Sequence, residues 1–466
     1  MENSNRILEG LNSEQKAAVS CVDGPVLIVA GAGSGKTRVL TSRIAYILAE
    51  KQCDPASILA LTFTKKAASE MKERIALMVG EKRARRLYMG TFHSVFIRFL
   101  REFSDSLGYP STFTIYDTSD SVSAIKTCLK ELQLDDKVYK PKDVLSRISM
   151  AKNNLVTAEA YRRNPTALQN DASAKKPRIC DIYQLYAQKC RQAGVMDFDD
   201  ILLNMNILLR DNPEALESIA QRFKYIMVDE YQDTNDLQYK LLRQLCYNHQ
   251  NLVVVGDDDQ SIYGWRGARI ENILNFKDQF NDVKLIKLET NYRSTPSILK
   301  AANELIDHNR SRLGKNLVSQ LPDENPIEIL EHNDENVEAK NIAAKINKLL
   351  ANGVSASQIA ILYRVNALSR SLEDGLNKAR IPYKMVGGVK FYERAEIKDI
   401  ISYLRLILNP NDDFSLTRII NRPKRGLGKI SLAKLEKFAF SLSLSFFFLG
   451  TYCMLSDVNE GNVSIH

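Results

Sequence analysis

The stretch "VLIVAGAGSGKTR", residues 26–38, joins an apolar run to a glycine-rich loop. The run 26–30 is short and rich in aliphatic and β-branched residues, which predicts a buried strand. The residues from Lys36 onward have the spacing of a helix. A strand, a glycine-rich loop and a helix in this order are typical of the phosphate-binding corner of an α/β protein.

The loop has the residue types that binding a phosphate requires. Its candidate binding residues are Ala30, Gly31, Ala32, Gly33, Ser34 and Gly35. The glycines let the backbone turn tightly enough to direct several N–H groups at one anion. Lys36 is then expected to reach the β- and γ-phosphates, and the Thr37 hydroxyl to ligate magnesium. The alternative is a glycine-rich turn followed by a chance Gly-Lys-Thr.

A second acidic element lies at "YIMVDEYQDTN", residues 225–235. The apolar run predicts a buried strand, at whose carboxyl end Asp229 and Glu230 would stand. There Asp229 is expected to hold magnesium through water, and Glu230 to orient and deprotonate an attacking water. An acidic junction between a strand and a surface turn is the alternative.

Further strands are predicted at 58–63, 252–256 and 283–288, with helical patterns between them. Strands that alternate with helices predict an α/β fold with a parallel sheet covered on both faces. Nucleoside triphosphate hydrolysis on such a core is therefore expected from the residues alone.

Composition narrows the class of protein further. A chain of 466 residues predicts several domains. The seven cysteines form no C-x-x-C pair, which argues against a zinc site. The sequence near Met1 has no signal-peptide core and no long uncharged apolar run marks a membrane span, so a cytoplasmic location is expected. A net charge of +8 permits a polyanionic partner without requiring one.

Two stretches favour a nucleic-acid partner, "TFTKKAASEM" from Thr62 and "GTFHS" from Gly90. Aromatic rings on which bases stack, beside hydroxyl and amine groups, are the parts that grip single strands. Taken singly, Phe63 and Phe92 are more typical of a core, and His93 of a structural histidine.

The stretch "VVGDDDQSIYGWRGA", residues 254–268, is unusual for its charge. Three adjacent aspartates, at 257–259, repel one another, so their presence in one loop indicates a specific role. We expect Gln260 to sense a γ-phosphate, and Tyr263 and Trp265 to face a strand of bases.

Together these motifs resemble those of the superfamily 1A DNA helicases, and within them the Rep branch of the UvrD/Rep/PcrA group. The motifs, in order, are "LNSEQKAAV", "AGAGSGKT", "TFTKKAASEM", "GTFHS", "DFDD", "VDEYQDTN", "VVGDDDQSIYGWRGA" and "LETNYRS". The resemblance implies an ATP-dependent helicase that moves 3′ to 5′ along single-stranded DNA and acts at duplex junctions. It implies ATP and Mg²⁺ as cofactors.

The resemblance also implies roles for particular residues. Gln15 would recognise the adenine edge, and Arg38 and Tyr292 would sandwich the base. Gln260 and Arg293 would contact the γ-phosphate, and Arg293 would join Lys36 and Glu230 among the catalytic residues. A structural ion pair is the alternative role for Arg293. The implied DNA contacts are Phe63, His93, Tyr263, Trp265 and Arg266.

The family architecture implies two RecA-like domains, each with a helical insertion. The expected segments are 1–85 and 197–276 for the first core domain, 86–196 for its insertion, 277–371 for the second core domain, 372–437 for the second insertion, and 438–466 for an aberrant tail.

The tail is expected to be foreign to the family because it contains no Lys or Arg, whereas the charged residues elsewhere are frequent. Two late family motifs are also missing, which predicts a truncated, incomplete second core domain. A frameshift explains the tail better than a membrane anchor over 438–455, because serines dilute that stretch. The alternative function is therefore an ATP- and DNA-binding fragment without unwinding activity. An RNA helicase is a third reading, since stacking platforms accept either polymer.

Overall fold

The structure is a computed structural model that describes residues 2–322, 326–386 and 395–428, with positions 432, 434, 438, 439, 445 and 447. Its strands are β1 (Val26–Ala30), β2 (Ile58–Thr62), β3 (Tyr88–Thr91), β4 (Thr114–Tyr116), β5 (Val195–Asp197), β6 (Tyr225–Val228), β7 (Leu252–Gly256), β8 (Lys284–Leu288), β9 (Thr290–Asn291) and β10 (Val318–Ser319). Its helices are α1 (Glu2–Leu8), α2 (Ser13–Ser20), α3 (Lys36–Glu50), α4 (Lys65–Val79), α5 (Glu81–Ala84), α6 (Phe92–Glu102), α7 (Ser104–Leu107), α8 (Thr118–Glu131), α9 (Pro141–Asn153), α10 (Ala158–Arg162), α11 (Pro165–Ser173), α12 (Ile179–Gln192), α13 (Phe198–Asp211), α14 (Pro213–Arg222), α15 (Asp236–Leu245), α16 (Glu271–Leu274), α17 (Phe276–Gln279), α18 (Pro296–Ile306), α19 (Glu335–Ala351), α20 (Ser369–Lys378), α21 (Ala395–Leu408) and α22 (Asp413–Ile419).

A six-stranded parallel sheet in the order β3-β2-β6-β7-β1-β8 forms the centre of the fold. Alternate residues of its strands enter two separate apolar cores. Leu27 and Val29 of β1 belong to one core, and Val26 and Ile28 to the other, which also contains Ile44 of α3. Because both faces of the sheet are covered, the strands read as continuous apolar runs. The predicted α/β fold with a parallel sheet is confirmed.

The predicted strands appear within one residue of their expected bounds, and two strand pairings cross the expected domain limits. The strand β3 pairs with β2, so the sheet continues past residue 85, where the first segment was expected to end. The strand β8 pairs with β1, although residues from 277 onward were expected in the second core domain. A short edge strand such as β3 has a weak sequence pattern, and the partner of a strand cannot be read from composition. The domain limits themselves stay predictions.

A buried charged cluster joins α9 to the start of α13. Lys152 is 2% exposed, and its Nζ lies 2.7 Å from carboxylate oxygens of both Asp197 and Asp200. The hydroxyl of Tyr186 donates to Asp197 at 2.8 Å. Asp197 caps α13 by accepting from the Asp200 N–H, so the "DFDD" motif begins that helix and ties it to α9.

The chain divides into two compact units, Met1–Asp323 with Asp399–His466, and Glu324–Lys398. The second unit has a small core in which Ile346 of α19 and Leu376 of α20 are buried. None of the helices in the described part of the chain has the length and apolarity needed to span a bilayer. The stretch 438–455, considered above as an anchor, lies outside the described residues except for isolated positions.

Candidate functional site

The glycine-rich loop between β1 and α3 has the backbone conformation that its sequence predicts. Gly33 and Gly35 have φ angles of +71° and +89°, which side chains other than glycine rarely adopt. The Ser34 hydroxyl donates to the Gly31 carbonyl at 2.7 Å and closes the turn. Because α3 begins at Lys36, the loop presents the free N–H groups of a helix N-terminus.

The segment after β8 docks directly on this loop. The Tyr292 N–H donates to the Gly33 carbonyl at 3.0 Å, and the Asn291 amide donates to the Ala32 carbonyl at 2.5 Å. A Cβ atom at Gly33 would lie 2.7 Å from Asn291 Nδ2 and 2.7 Å from the Cβ of Arg293. The absence of a side chain at Gly33 therefore lets the two segments meet.

Lys36 and Glu230 share one site. The Nζ of Lys36 lies 3.3 Å from Oε2 of Glu230, and the Gln232 amide donates to that same oxygen at 2.8 Å. Glu230 has a φ of +51°, an uncommon conformation for a side-chain-bearing residue. Such strain at the end of a central strand is typical of functional sites.

Asp229 precedes Glu230 at the carboxyl end of β6 and is 5% exposed. Burial, reinforced by the neighbouring Glu230, raises the pKa of Asp229 to about 6. The same two causes raise the pKa of Asp233 to about 6. A buried carboxylate whose charge is disfavoured is stabilised by a nearby cation, and the positive charge of Lys36 opposes the rise in the Asp229 pKa.

The residues expected around a base lie beside the loop. Gln15 is buried, and its amide donates to the Ser34 carbonyl at 2.9 Å. Asn12 caps α2 by accepting from the Gln15 N–H, and its amide donates to the Tyr292 hydroxyl at 2.9 Å. Arg38 and Tyr292 are exposed, which leaves both side chains accessible to a ligand.

Gln260 is connected to the acidic pair through a buried bridge. The Gln232 side chain accepts from the Asp257 N–H at 2.9 Å, while its amide binds Glu230. The Gln260 amide in turn donates to the Asp257 carboxylate. The loop after β7 is therefore tied to the Lys36–Glu230 pair by Gln232.

The predicted nucleic-acid contacts form a cluster, with one exception. Phe63 and Tyr263 stack with centroids 5.8 Å apart, and Trp265 lies 6.4 Å from Tyr263. The Arg266 guanidinium lies 4.6 Å from the centre of the Trp265 ring, which is 74% exposed. These four residues, the aromatic cluster, present π-faces and a cation on one surface.

His93 is the exception, because its ring packs edge-on against Phe198 at 5.7 Å. Burial lowers the pKa of His93, although a hydrogen bond to the Phe198 backbone opposes the shift. Its neighbour Phe92 is 2% exposed and lies in the core of the sheet. The core interpretation was therefore correct for Phe92.

Arg293 is exposed and forms no ion pair within the described part of the chain. Its backbone N–H donates to the Asn291 side chain at 2.8 Å, and its Cβ would lie 2.7 Å from a Cβ at Gly33, so its side chain begins next to the glycine-rich loop. The alternative of a structural ion pair finds no support in this arrangement.

Sequence reasoning missed the residues that connect the parts. Gln232, Asn291 and Asn12 link the loop, the acidic pair and the base-binding end. Each lies within a motif quoted above, so the signal was present. What could not be read was the partner of each amide, because those partners are distant in sequence.

A glycine-rich loop that joins a strand to a helix, beside an acidic pair at the carboxyl end of a parallel sheet, is the architecture of the P-loop proteins. Residues 11–281 match the UvrD/REP helicase N-terminal domain, and residues 286–455 match the UvrD-like helicase C-terminal domain. The chain belongs to the UvrD/Rep helicase family.

Three relatives are named ATP-dependent DNA helicase PcrA. Those from Bacillus subtilis, Staphylococcus epidermidis and Staphylococcus aureus are 48%, 47% and 46% identical over 95% of this chain. The chain spans about 60% of the length of these curated relatives. Their names do not support the narrower expectation of a Rep-branch chain.

The C-terminal match also bears on the expected tail. It extends to residue 455, so the expectation that everything after Lys437 is foreign to the family is not supported, and neither is an incomplete second domain. The low charge that suggested a foreign tail is a weak signal, because a family segment can also be apolar.

Proposed function

We propose that this chain is the motor of an ATP-dependent DNA helicase that moves 3′ to 5′ along single-stranded DNA and opens duplex junctions. The carrying observation is the 3.3 Å approach of Lys36 to Glu230 at the carboxyl edge of the sheet that also bears the aromatic cluster. The family membership supports the activity, and the relatives' names support DNA as the substrate. The polarity rests on the motif resemblance.

The nucleotide would be held mainly by backbone groups. N–H groups of the loop 31–35 would surround the phosphates, and Lys36 would leave Glu230 to meet them. Arg38 and Tyr292 would flank the base, and Gln15 would exchange its bond to Ser34 for the base edge. Magnesium, held by Thr37 and Asp229, would supply charge neutralisation at the phosphates.

Glu230 has the position of a general base. Once Lys36 turns to the phosphates, the Glu230 carboxylate loses its ion pair and can accept a proton from water, while the Gln232 amide still donates to Oε2 and keeps the carboxylate oriented. Arg293 and Gln260 would place a cation and an amide near the γ-phosphate, where negative charge develops.

Movement on DNA would come from coupling this site to the aromatic cluster. Bases of a single strand would stack on Phe63, Tyr263 and Trp265, with Arg266 contributing a cation. Gln260 is three residues from Tyr263, so a shift of this loop with nucleotide state would alter the stacking surface.

The deciding experiment measures ATP hydrolysis by the full chain with and without single-stranded DNA, and with RNA of the same sequence. DNA stimulation that Glu230→Gln abolishes supports the motor. Binding of DNA with no stimulated hydrolysis supports the alternative, a nucleotide- and DNA-binding chain without unwinding. Equal stimulation by RNA contradicts the DNA assignment. Release of a fluorophore placed at the 5′ or the 3′ end of the strand then tests polarity.

A further inference from the structure

The three aspartates that follow β7 surround one ammonium group. The Nζ of Lys315 lies 2.7 Å from Asp257, 2.6 Å from Asp258 and 2.6 Å from Asp259. The carboxylates approach within 4.8 Å of one another, a spacing that would also suit a metal ion. Here the cation at their centre is Lys315, whose side chain is 2% exposed.

An arginine completes this acidic cluster. Arg312 donates from Nε and Nη2 to the two oxygens of Asp259, at 2.8 Å and 3.0 Å, and so forms a bidentate pair. The Leu313 N–H donates to the second oxygen of Asp258 at 2.7 Å. The segment 312–315 therefore binds two of the three aspartates at more than one point.

The charges in this cluster depend on one another. Burial disfavours the Lys315 charge, but Asp257 and its two neighbours outweigh that effect and raise the pKa of Lys315. Burial also acts against the charge of Asp259, yet Arg312 and Lys315 lower its pKa. Removing the Lys315 charge would leave buried carboxylates facing one another, which is far costlier than losing a surface pair.

The cluster fixes the loop that carries Gln260. Asp257 binds Lys315 with one carboxylate oxygen and accepts from the Gln260 amide with the other. Its N–H donates to Gln232, which binds Glu230. A continuous set of polar contacts thus runs from Lys36 through Glu230 to Lys315.

The acidic and the basic residues of this cluster lie in regions that match two different domains of the family. The aspartates lie within residues 11–281, which match the N-terminal domain, whereas Arg312 and Lys315 lie within 286–455, which match the C-terminal domain. A change in how these two parts meet would reach Gln260 and Trp265 through the aspartates.

We propose that Lys315, supported by Arg312, is a positioning residue that holds the Gln260 loop and transmits nucleotide state to the aromatic cluster. This inference rests on the proposed function, because transmission matters only where ATP hydrolysis and strand binding are coupled. Because the Lys315 ammonium is enclosed by the three aspartates, its effect passes through Asp257 and Gln260.

The test uses the full chain with Lys315→Met, with Lys315→Met combined with Asp258→Asn, and with the charge-retaining Lys315→Arg. Lys300→Met, at an exposed lysine of α18, is the matched control for the loss of one charge. One readout is kcat and KM for ATP with and without single-stranded DNA. The other is acrylamide quenching of Trp265, the single tryptophan, which reports the loop without requiring activity.

Lys315→Met is expected to lower the DNA-stimulated kcat about tenfold with a KM for ATP changed less than about threefold, a size typical of coupling residues. Trp265 quenching should change in the same variant without any ligand. Lys315→Arg should keep most of the DNA-stimulated activity. Adding Asp258→Asn to Lys315→Met should restore part of that activity, because it removes one unneutralised carboxylate. Lys300→Met should match the unmodified chain.

A folded Lys315→Met chain with unaltered Trp265 quenching and DNA stimulation would overturn the inference. So would a variant that loses thermal stability but keeps its ratio of stimulated to basal hydrolysis, since that is a structural role. If Lys315→Met does not fold by circular dichroism, Arg312→Gln replaces it, with the same pair of expected changes at smaller size. An unmodified chain that hydrolyses no ATP refutes the proposed function, while Trp265 quenching still decides whether Lys315 holds the loop.

Discussion

The ammonium of Lys36 lies 3.3 Å from the carboxylate of Glu230, although 194 residues separate them in the chain. The two motifs predict this proximity, because a phosphate loop and an acidic pair act on one nucleotide only if the fold brings them together. The parallel sheet does so by placing β1 and β6 on either side of β7, with their carboxyl ends at one edge.

Lys36→Ala is expected to abolish ATP hydrolysis while leaving single-strand binding intact. The side chain supplies positive charge at the phosphates, whereas the aromatic cluster that would grip DNA lies on another loop. Hydrolysis and binding of a labelled oligonucleotide are measured on the same preparation. Lys82→Ala, at an exposed position of α5, should alter neither. Hydrolysis that persists in Lys36→Ala would mean that the loop has been wrongly assigned.

Trp265→Ala is expected to weaken single-strand affinity by about 1–3 kcal/mol, the range for loss of one base-stacking ring. The ring is 74% exposed and carries Arg266 over its face, so little of the fold depends on it. Fluorescence anisotropy at fixed salt measures the affinity. Tyr247→Ala removes an equally exposed ring from another surface and should have no effect. An unchanged affinity for Trp265→Ala would remove this residue from the DNA path.

The sequence was most informative where local chemistry decides the structure. The loop 31–35 and the strand that precedes it follow from glycine freedom and apolar patterning, and Asp229 with Glu230 follows from the end of a buried strand. These features need only a few adjacent residues, so each could be placed without knowing the rest of the fold.

Features that depend on distant partners could not be predicted. The charge of the aspartates 257–259 indicated a specific role for them. Their counter-ion, Lys315, lies 56 to 58 residues away and cannot be identified from composition. The DNA-contact role of His93 was implied by the family resemblance and stays a prediction, whereas the contact of its ring with Phe198 depends on a partner distant in sequence. The pairing of strand β8 with β1 could not be foreseen either, because strand pairing is a tertiary property.

Gly33→Ala is expected to weaken nucleotide binding by about tenfold or more, because the added Cβ would collide with Asn291 as well as strain a φ of +71°. Gly80→Ala is the matched control, since its φ is +90° and a Cβ there meets nothing within 4 Å. Gly80→Ala should lose thermal stability from backbone strain alone, and Gly33→Ala should lose at least as much because the collision adds to the strain. Only Gly33→Ala should bind a fluorescent ATP analogue more weakly. Equal affinities in the two variants would contradict the close docking of Asn291 on the loop.

Asp200 predicts a pH dependence of stability that extends closer to neutral pH than that of Asp229, whose pKa is raised only to about 6. Burial, with a further contribution from Asp197, raises the pKa of Asp200 from 3.8 to about 7 despite the neighbouring Lys152. A carboxyl group whose pKa is raised on folding contributes stability that is fully present when the pH is below the pKa of the unfolded chain. This stability is lost as the pH rises through the folded-state pKa of about 7.

Asp200→Asn removes this titration, so the variant should gain stability relative to the unmodified chain by about 1 kcal/mol between pH 6 and pH 8. Urea unfolding at each pH measures the difference. Asp136→Asn, at an exposed position, should follow the unmodified chain throughout. A stability difference between Asp200→Asn and the unmodified chain that stays constant from pH 6 to pH 8 would show that Asp200 is already ionised at pH 6, and that Lys152 stabilises its charge more strongly than burial opposes it.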